Sequence, residues 1–136
     1  PVVTLYVTST ADDGAFYVYL EDVDDNGKVI YLTEGQLRAV HHRISVEEPA
    51  YKLFVPHHSF LRKDGLSLIP GEVAELRFGL LPVSALVRKG HRLRVAIAGH
   101  DRDTFTRIPA EGEPIITVQR NAVYSSHIDL PVIRRQ

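Results

Sequence analysis

Three residue types are missing from this chain of 136 residues, which contains no cysteine, no methionine and no tryptophan. The absence of cysteine excludes disulfide scaffolds, thiolate zinc sites and thiol catalysis. Methionine is absent even at position 1, where Pro1 leads directly into a strand-like run that begins at Val2. We therefore expect a chain that was processed or excised from a longer protein, without that protein's own N-terminus.

Charge of one sign and long apolar runs are also lacking. The 16 Lys and Arg residues nearly balance the 17 Asp and Glu residues, and the formal net charge is -1. This balance removes the basic surface that non-specific binding to nucleic acid or to an anionic membrane requires. No apolar run approaches the ~20 residues that span a bilayer. We predict no nucleic-acid partner, no membrane partner and a cytoplasmic location.

The local motifs of self-contained catalysis are missing as well. The chain has no G-x-S-x-G nucleophile elbow, no G-x-G-x-x-G fingerprint and no G-K-[ST] phosphate loop. Ser, His and Asp are all present, but a catalytic triad is assembled in space and its residue types alone indicate nothing. The sequence therefore predicts no catalytic residues and no cofactor.

Apolar and polar residues alternate along most of the chain, which is the pattern of half-buried strands. The alternation is cleanest over residues 74–80. The pair Asn26-Gly27 between two such runs predicts a hairpin whose two turn residues both have positive φ. Similar runs lie at residues 3–8, 16–21, 28–33, 93–98, 115–118 and 127–132. We predict an all-β fold of about eight or nine short strands, an antiparallel sandwich of the Greek-key or jelly-roll type.

Two segments break the strand pattern. Residues 82–90 begin with proline and end with Arg-Lys-Gly, so they predict one or two helical turns with Val83, Leu86 and Val87 on one face. Residues 47–71 contain three prolines and little periodicity, and they indicate a long connection that crosses the sandwich.

The best metal candidate is the acidic turn at residues 22–27. Asp22, Asp24 and Asn26 match the first half of a calcium-loop pattern, with glycine at the sixth position. The closing acid should fall at Thr33, and Glu34 comes one residue late. We favour the interpretation of an acidic hairpin turn that binds no metal.

Tyrosines mark the face of the sheet that is turned away from the core. Tyr17, Tyr19 and Tyr31 could form a stacking platform for a sugar or a peptide, or they could pack half-buried between paired strands. The first arrangement would suit a free-standing carbohydrate- or ligand-binding module, which is the alternative function for this chain. Because tyrosine is common at such positions in strands, we favour packing.

Four stretches together form a recognisable pattern. The most specific is residues 81–99, with the core R-K-G-H-R-L-R at 88–94. The others are 19–23 with the acidic Asn-Gly turn that follows, 32–39, and 69–72 leading into 76–78. Together they resemble the C-terminal domain of the X-Pro dipeptidyl-peptidase and cocaine-esterase family of serine hydrolases, through essentially the whole chain to Ile133.

The resemblance implies a jelly-roll β-sandwich of the galactose-binding-like type, packed against an α/β-hydrolase domain and a helical cap. In that family the catalytic Ser, Asp and His belong to the hydrolase domain, and none of them maps onto a position of this chain. Residues 1–136 are then a single non-catalytic domain, a C-terminal fragment of a larger hydrolase with dipeptidyl-peptidase or esterase activity. Such a domain helps to shape the substrate cleft from outside.

The resemblance also indicates two interaction surfaces. Family sandwiches begin with a further strand before residues 2–6, so we expect an exposed sheet edge and self-association here. We further hypothesise that the connections at 47–71 and 99–114 contact the hydrolase domain, because they hold apolar residues that no strand pattern explains. These are Tyr51, Phe54, Phe60, Phe105 and Ile108.

Overall fold

A computed structural model describes residues 1–133 of the chain. Short strands dominate this part, and the helical content is limited to two 3₁₀ turns at Ala39–His41 and Arg62–Asp64. The strands are β1 (Val2–Ser9), β2 (Ala15–Val23), β3 (Val29–Arg38), β4 (Ala74–Gly79), β5 (Arg92–Ala98), β6 (Ile116–Val118) and β7 (His127–Asp129). The described residues thus form seven strands, where the sequence predicted eight or nine.

The strands form two antiparallel sheets. In the first sheet β1 is central, with β4 on one side and the short strands β6 and β7 sharing its other side. The second sheet has the order β3-β2-β5. The predicted all-β sandwich is confirmed, and the galactose-binding-like subtype stays a prediction.

Alternation along the strands determines which side chains enter the core. Buried apolar residues at every second position of β1 and β4 face those of β2 and β3. Full burial of one such side chain contributes about 1.5–3 kcal/mol to the free energy of unfolding. The main members of this core are Val3, Leu5, Val7, Phe16, Val18, Leu20, Leu37, Leu76 and Phe78.

The hairpin between β2 and β3 is present, but its turn differs from the predicted one. The Gly27 amide donates to the Asp24 carbonyl over 3.0 Å, and Gly27 has a φ of 81°. Phe60 is the only non-glycine residue in residues 1–133 that has a positive φ, so the φ of Asn26 is not positive. The prediction of two left-handed turn residues is therefore wrong: a single left-handed glycine follows the turn and returns the chain to β3.

The prediction of a helix at residues 82–90 is wrong, because the structure contains no helix there. This segment is irregular and ends in a turn, where the His91 amide donates to the Arg88 carbonyl over 3.1 Å. Val83, Leu86 and Val87 are all exposed, so their common face has no surface to cover. Two helical turns are marginal in water without such packing, which explains why the helix does not form.

Histidines attach the irregular segments to the sheets. The Nδ1 atom of His91 lies 2.9 Å from Oδ2 of Asp22, a buried residue at the end of β2. The Nδ1 atom of buried His58 lies 3.0 Å from the Arg43 carbonyl oxygen. Its Nε2 atom lies 3.0 Å from the carbonyl oxygen of Arg77 in β4. These bonds hold the segment before β5 and the long connection in place.

No helix in residues 1–133 is long and apolar enough to cross a membrane.

Candidate inter-domain surface

The five predicted contact residues lie in the two long connections, as the sequence placed them, but only three of them line one of the two pockets at this surface. Phe105 and Ile108 line one pocket and Phe54 lines a second. Tyr51 and Phe60 line neither of these pockets. Their assignment to the interface stays a prediction.

The first pocket lies over the outer face of the second sheet and has a volume of ≈ 310 Å³. Its floor comes from the ends of β2 and β3, including Tyr17, and its rim comes from Phe105 and Ile108 of the 99–114 connection. Because Tyr17 alternates with core residues of β2, its ring stands on the outer face of the sheet. The pocket is therefore a gap between the sheet and the connection that crosses it.

Aromatic packing and one hydrogen bond hold the 99–114 connection on the sheet. The rings of Tyr17 and Phe105 lie 5.0 Å apart, and the Tyr19 hydroxyl donates to Oδ2 of Asp101 over 2.6 Å. Burial raises the pKa of Tyr17 and of Tyr19, and the bond from Tyr19 lowers the pKa of Asp101. Tyr17 is buried beneath Phe105, which confirms packing for this residue and removes it from any sugar-stacking platform.

The second pocket has a volume of ≈ 410 Å³ and lies against the end of β4. The 47–71 connection contributes Phe54, whose side chain is 82% exposed, and the Nζ atom of Lys52 lies 5.0 Å from the Phe54 ring centre. At Gly79 any Cβ would collide with the side chain of Val55, so only glycine lets this connection approach β4 so closely. The backbone contact thus positions Phe54 at the surface.

Gln36 of β3 lines both pockets. It lies on the outward face of its strand, between the inward residues Gly35 and Leu37. The two pockets therefore adjoin one another across β3. We call Gln36, Phe54, Phe105 and Ile108 together the Gln36 surface.

Sequence reasoning did not identify Gln36. An outward polar residue on a strand is typical of solvated sheet faces, and no local signal distinguishes this one. Its place between the two connections could only have been inferred from the strand order and the crossing of the connections.

The remaining two predicted residues lie elsewhere on the 47–71 connection. Phe60 packs edge-on against His41 with ring centres 5.2 Å apart, and its backbone has a φ of 54°. Tyr51 is exposed in a bend.

The candidate metal ligands of the acidic turn make separate contacts. Asp22 is buried and bonds to His91, whereas Asp24 accepts the Asn26 and Lys28 amides over 2.8 Å each. The bond from the Lys28 amide is the main cause that lowers the pKa of Asp24. Within residues 1–133 no three His, Asp or Glu side chains could together hold a metal ion.

Comparison with known proteins identifies the family. Residues 1–128 match the X-Pro dipeptidyl-peptidase C-terminal non-catalytic domain. Two proteins named serine esterase, from Mycobacterium bovis and Mycobacterium tuberculosis, are each 52% identical over 133 residues, which is 98% of this chain and 21% of the relative. The chain therefore spans about a fifth of the length of these curated relatives.

A solved structure shows the same fold. The CocE/NonD family hydrolase from Staphylococcus aureus superposes on 92% of this chain and 26% of its own, with a TM-score of 0.67 and 21% identity. The resemblance drawn from the four sequence stretches is confirmed by these matches. The chain belongs to the family of X-Pro dipeptidyl-peptidase C-terminal non-catalytic domains.

Proposed function

We propose that this chain is the accessory β-sandwich of a serine esterase, and that the Gln36 surface packs on the catalytic α/β-hydrolase domain of the parent protein. The family supports a non-catalytic role beside a hydrolase, and the 52% identity to two proteins named serine esterase supports an ester substrate over an X-Pro peptide. The catalytic residues then belong to the part of the parent protein outside this chain. The sandwich contributes to the rim of the substrate cleft.

The observation that carries this proposal is the Gln36 surface itself. An 82% exposed phenylalanine lines one of two pockets that share Gln36, and each pocket would accept a side chain of a partner. Isolated exposed apolar residues are common, but an aromatic residue next to concave apolar surface is typical of an interface core. Interfaces between domains bury about 600–1,500 Å², and a few aromatic residues supply most of their binding energy.

One charged group beside the Gln36 surface is already paired within the chain. Arg38, beside Gln36 on the outer face of β3, binds Asp13 with an Nη2–Oδ2 distance of 2.7 Å. A partner that covers the region beside Arg38 therefore meets a neutralised ion pair and an amide, whereas the ammonium group of Lys52 lies over the Phe54 ring at the second pocket. The neutralised pair favours a largely apolar contact beside Arg38 on the hydrolase domain.

The proposal is tested by substitutions in the full-length parent protein. Phe54→Ala is expected to weaken packing between the domains by about 2 kcal/mol, because it removes an aromatic anchor of the interface. Calorimetric unfolding should then show separate transitions for the sandwich and for the catalytic domain. The KM for a chromogenic acyl ester should rise if the cleft rim moves. Val123→Ala is the control, since Val123 is 78% exposed and lies outside the Gln36 surface.

A second variant separates loss of the interface from local unfolding of the sandwich. Phe105→Ala should have the same effect in the parent protein, and circular dichroism of the isolated chain shows whether the sandwich still folds without the stacking on Tyr17. Unchanged domain coupling and unchanged KM in both Phe54→Ala and Phe105→Ala would contradict the proposal. Ester turnover by residues 1–136 alone would contradict the non-catalytic role.

A further inference from the structure

The exposed Phe54 stands on a loop of residues 44–57, which we call the Phe54 loop. At the base of this loop the Ser45 amide donates to the His57 carbonyl over 2.8 Å. The loop then returns along β4, the edge strand of the first sheet, where Val55 lies against Gly79. It contains no helix and no strand. Its position therefore depends on a few contacts at its base.

His58 provides the central contact at this base. The residue is only 6% exposed, and its ring lies between the two ends of the loop and the sheet. The Nδ1 atom contacts the carbonyl oxygen of Arg43, just before the loop, and the Nε2 atom contacts that of Arg77 in β4. One ring thus connects the start of the loop, its end and the edge of the first sheet.

The two partners of the ring are both acceptors, which decides its protonation state. A neutral imidazole has one N–H and one lone pair, whereas the imidazolium ion has two N–H groups. Only protonated His58 can therefore donate to both carbonyl oxygens. In the neutral ring a lone pair would face a carbonyl oxygen at 3.0 Å, and one buried bond would be lost. In residues 1–133 no other histidine has a carbonyl oxygen at both ring nitrogens.

The backbone after His58 opposes this arrangement. Phe60 has a φ of 54°, in the left-handed region that is costly for a residue with a side chain. Its ring packs against His41, and its centre lies 6.0 Å from that of the His58 ring. Such a backbone conformation persists only where the surrounding contacts fix it. Loss of one bond from His58 therefore lets this segment relax.

We propose that protonated His58 is a clamp that fixes the Phe54 loop on β4, and that loss of its proton releases the loop. The loop is then held at lower pH, where the ring makes both bonds, and it becomes mobile as the pH rises through the titration of His58. His58 is thus a positioning residue for Phe54. The clamp does not depend on what Phe54 contacts, so it goes beyond the proposed packing on the hydrolase domain and can be tested separately.

The acidic groups near the clamp have other partners. Asp64 accepts the Ser59 hydroxyl over 2.6 Å, and Glu47 pairs with Lys63 over 3.5 Å. None of the ion pairs in residues 1–133 involves His58, so the two carbonyl oxygens are the polar partners of its charge. The other titratable or charged residues of the segments around it are His41, His42, Arg43, His57, Glu75 and Arg77.

Nitrogen-15 NMR of the imidazole rings tests the clamp in the chain of residues 1–136, over a series from about pH 5 to about pH 8.5. At the acidic end both ring nitrogens of His58 should carry a proton, and exchange of the Ser45 amide should be slow. As His58 loses one ring proton, the protection of that amide, corrected for intrinsic exchange, should fall at least ~10-fold. This is the scale expected for one hydrogen bond from a charged donor.

Two variants assign the effect to His58. His58→Gln has no titrating proton, and its single amide nitrogen cannot replace both ring nitrogens, so protection of the Ser45 amide should be low at every pH. His57→Gln is the matched control, because the His57 ring has one carbonyl contact, with Glu47 over 3.2 Å. This control should keep the pH dependence of the wild type. Circular dichroism verifies the fold, and the wild-type titration remains decisive if His58→Gln does not fold.

Three outcomes would overturn the proposal. The first is a single proton on the His58 ring at every pH of the series. The second is a Ser45 protection that stays constant while His58 loses its proton. The third is the same pH dependence in wild type and in His58→Gln. In the parent protein, domain coupling that ignores the opening of the clamp would count against packing through Phe54 and would leave the clamp itself intact.

Discussion

The two sides of the sandwich are closed to different degrees. On the side of β3 and β4 the chain crosses between the sheets, and the Leu81 amide donates to the Glu34 carbonyl over 2.8 Å. The Thr33 hydroxyl donates to the Leu81 carbonyl over 2.8 Å, and Gly35 lies directly against Gly79. On the side of β5 the facing strands are short and apolar side chains remain half-exposed.

The difference shows what closing a sandwich requires. β3 has ten residues and meets β4 at a point where Gly35 lets the two backbones approach closely. β5 has seven residues, but it faces strands of three residues, so its apolar face extends beyond the cover. Burial is therefore decided by the opposite sheet, because a strand of suitable pattern stays exposed where no strand covers it.

The largest expected effect compares one leucine from each side. Leu76→Ala in β4 should lower the free energy of unfolding by about 4 kcal/mol, since Leu76 is fully buried and the change leaves a cavity. Leu93→Ala in β5 should cost only about 1 kcal/mol, because Leu93 is already 42% exposed. Urea unfolding at two protein concentrations measures both and separates the contribution of self-association. Equal costs would show that the two sides are equally closed.

The next effect concerns the glycines. A Cβ at Gly35 would lie 2.5 Å from the Gly79 carbonyl oxygen and 3.0 Å from the Leu80 Cα, so Gly35→Ala forces the main chains apart and should cost about 3 kcal/mol. Gly99→Ala after β5 is the matched control, since its nearest neighbour would be Ile116 at an ordinary 3.5 Å. We expect that control to change the stability by no more than about 0.5 kcal/mol. A tolerated Gly35→Ala would contradict the close backbone contact.

The smallest effect is a pH dependence at the end of β5. The Tyr19 hydroxyl holds the pKa of Asp101 below its ordinary value. A carboxyl whose pKa is lowered on folding adds stability above its unfolded pKa of about 3.9, and this stability is lost as the pH falls through the folded pKa. Tyr19→Phe should therefore reduce the loss of stability between about pH 5 and pH 2.

Thermal unfolding across that pH range measures the effect, and Tyr124→Phe is the control. Tyr124 packs on Tyr6 with ring centres 5.6 Å apart, far in sequence from the Asp101 bond. If wild type and Tyr19→Phe lose stability in parallel as the pH falls, the bond to Asp101 does not stabilise the folded state.

Most of the strands could be predicted from local pattern. The alternation over residues 74–80 corresponds closely to β4, and the run at 93–98 corresponds to β5. The same kind of reasoning failed at residues 82–90, where helix signals are present but no surface lies beneath the apolar face. A strand can form although its apolar face is only partly buried, because neighbouring strands supply its hydrogen bonds. A short helix, by contrast, is stable only when its apolar face packs on another element.

The candidate surface could be predicted only in part. Phe54, Phe105 and Ile108 stood out as apolar residues in connections, and the structure places them around two adjoining pockets. Gln36 carries no local signal, and the separation of Phe60 from this group depends on how the long connection folds back toward His41. Which residues from distant segments lie close together depends on the strand order, and this order cannot be read from composition or local pattern.

By itself the sequence determined the class of fold, the inward and outward faces of the strands, and the family. These follow from the period of two residues in a strand and from local stretches such as R-K-G-H-R-L-R. Only the tertiary structure decided which side of the sandwich closes, that β5 is an edge strand, and that the pockets of the two connections share Gln36. The physical reason is that burial and edge exposure depend on what lies opposite, and the opposite residues are distant in the chain.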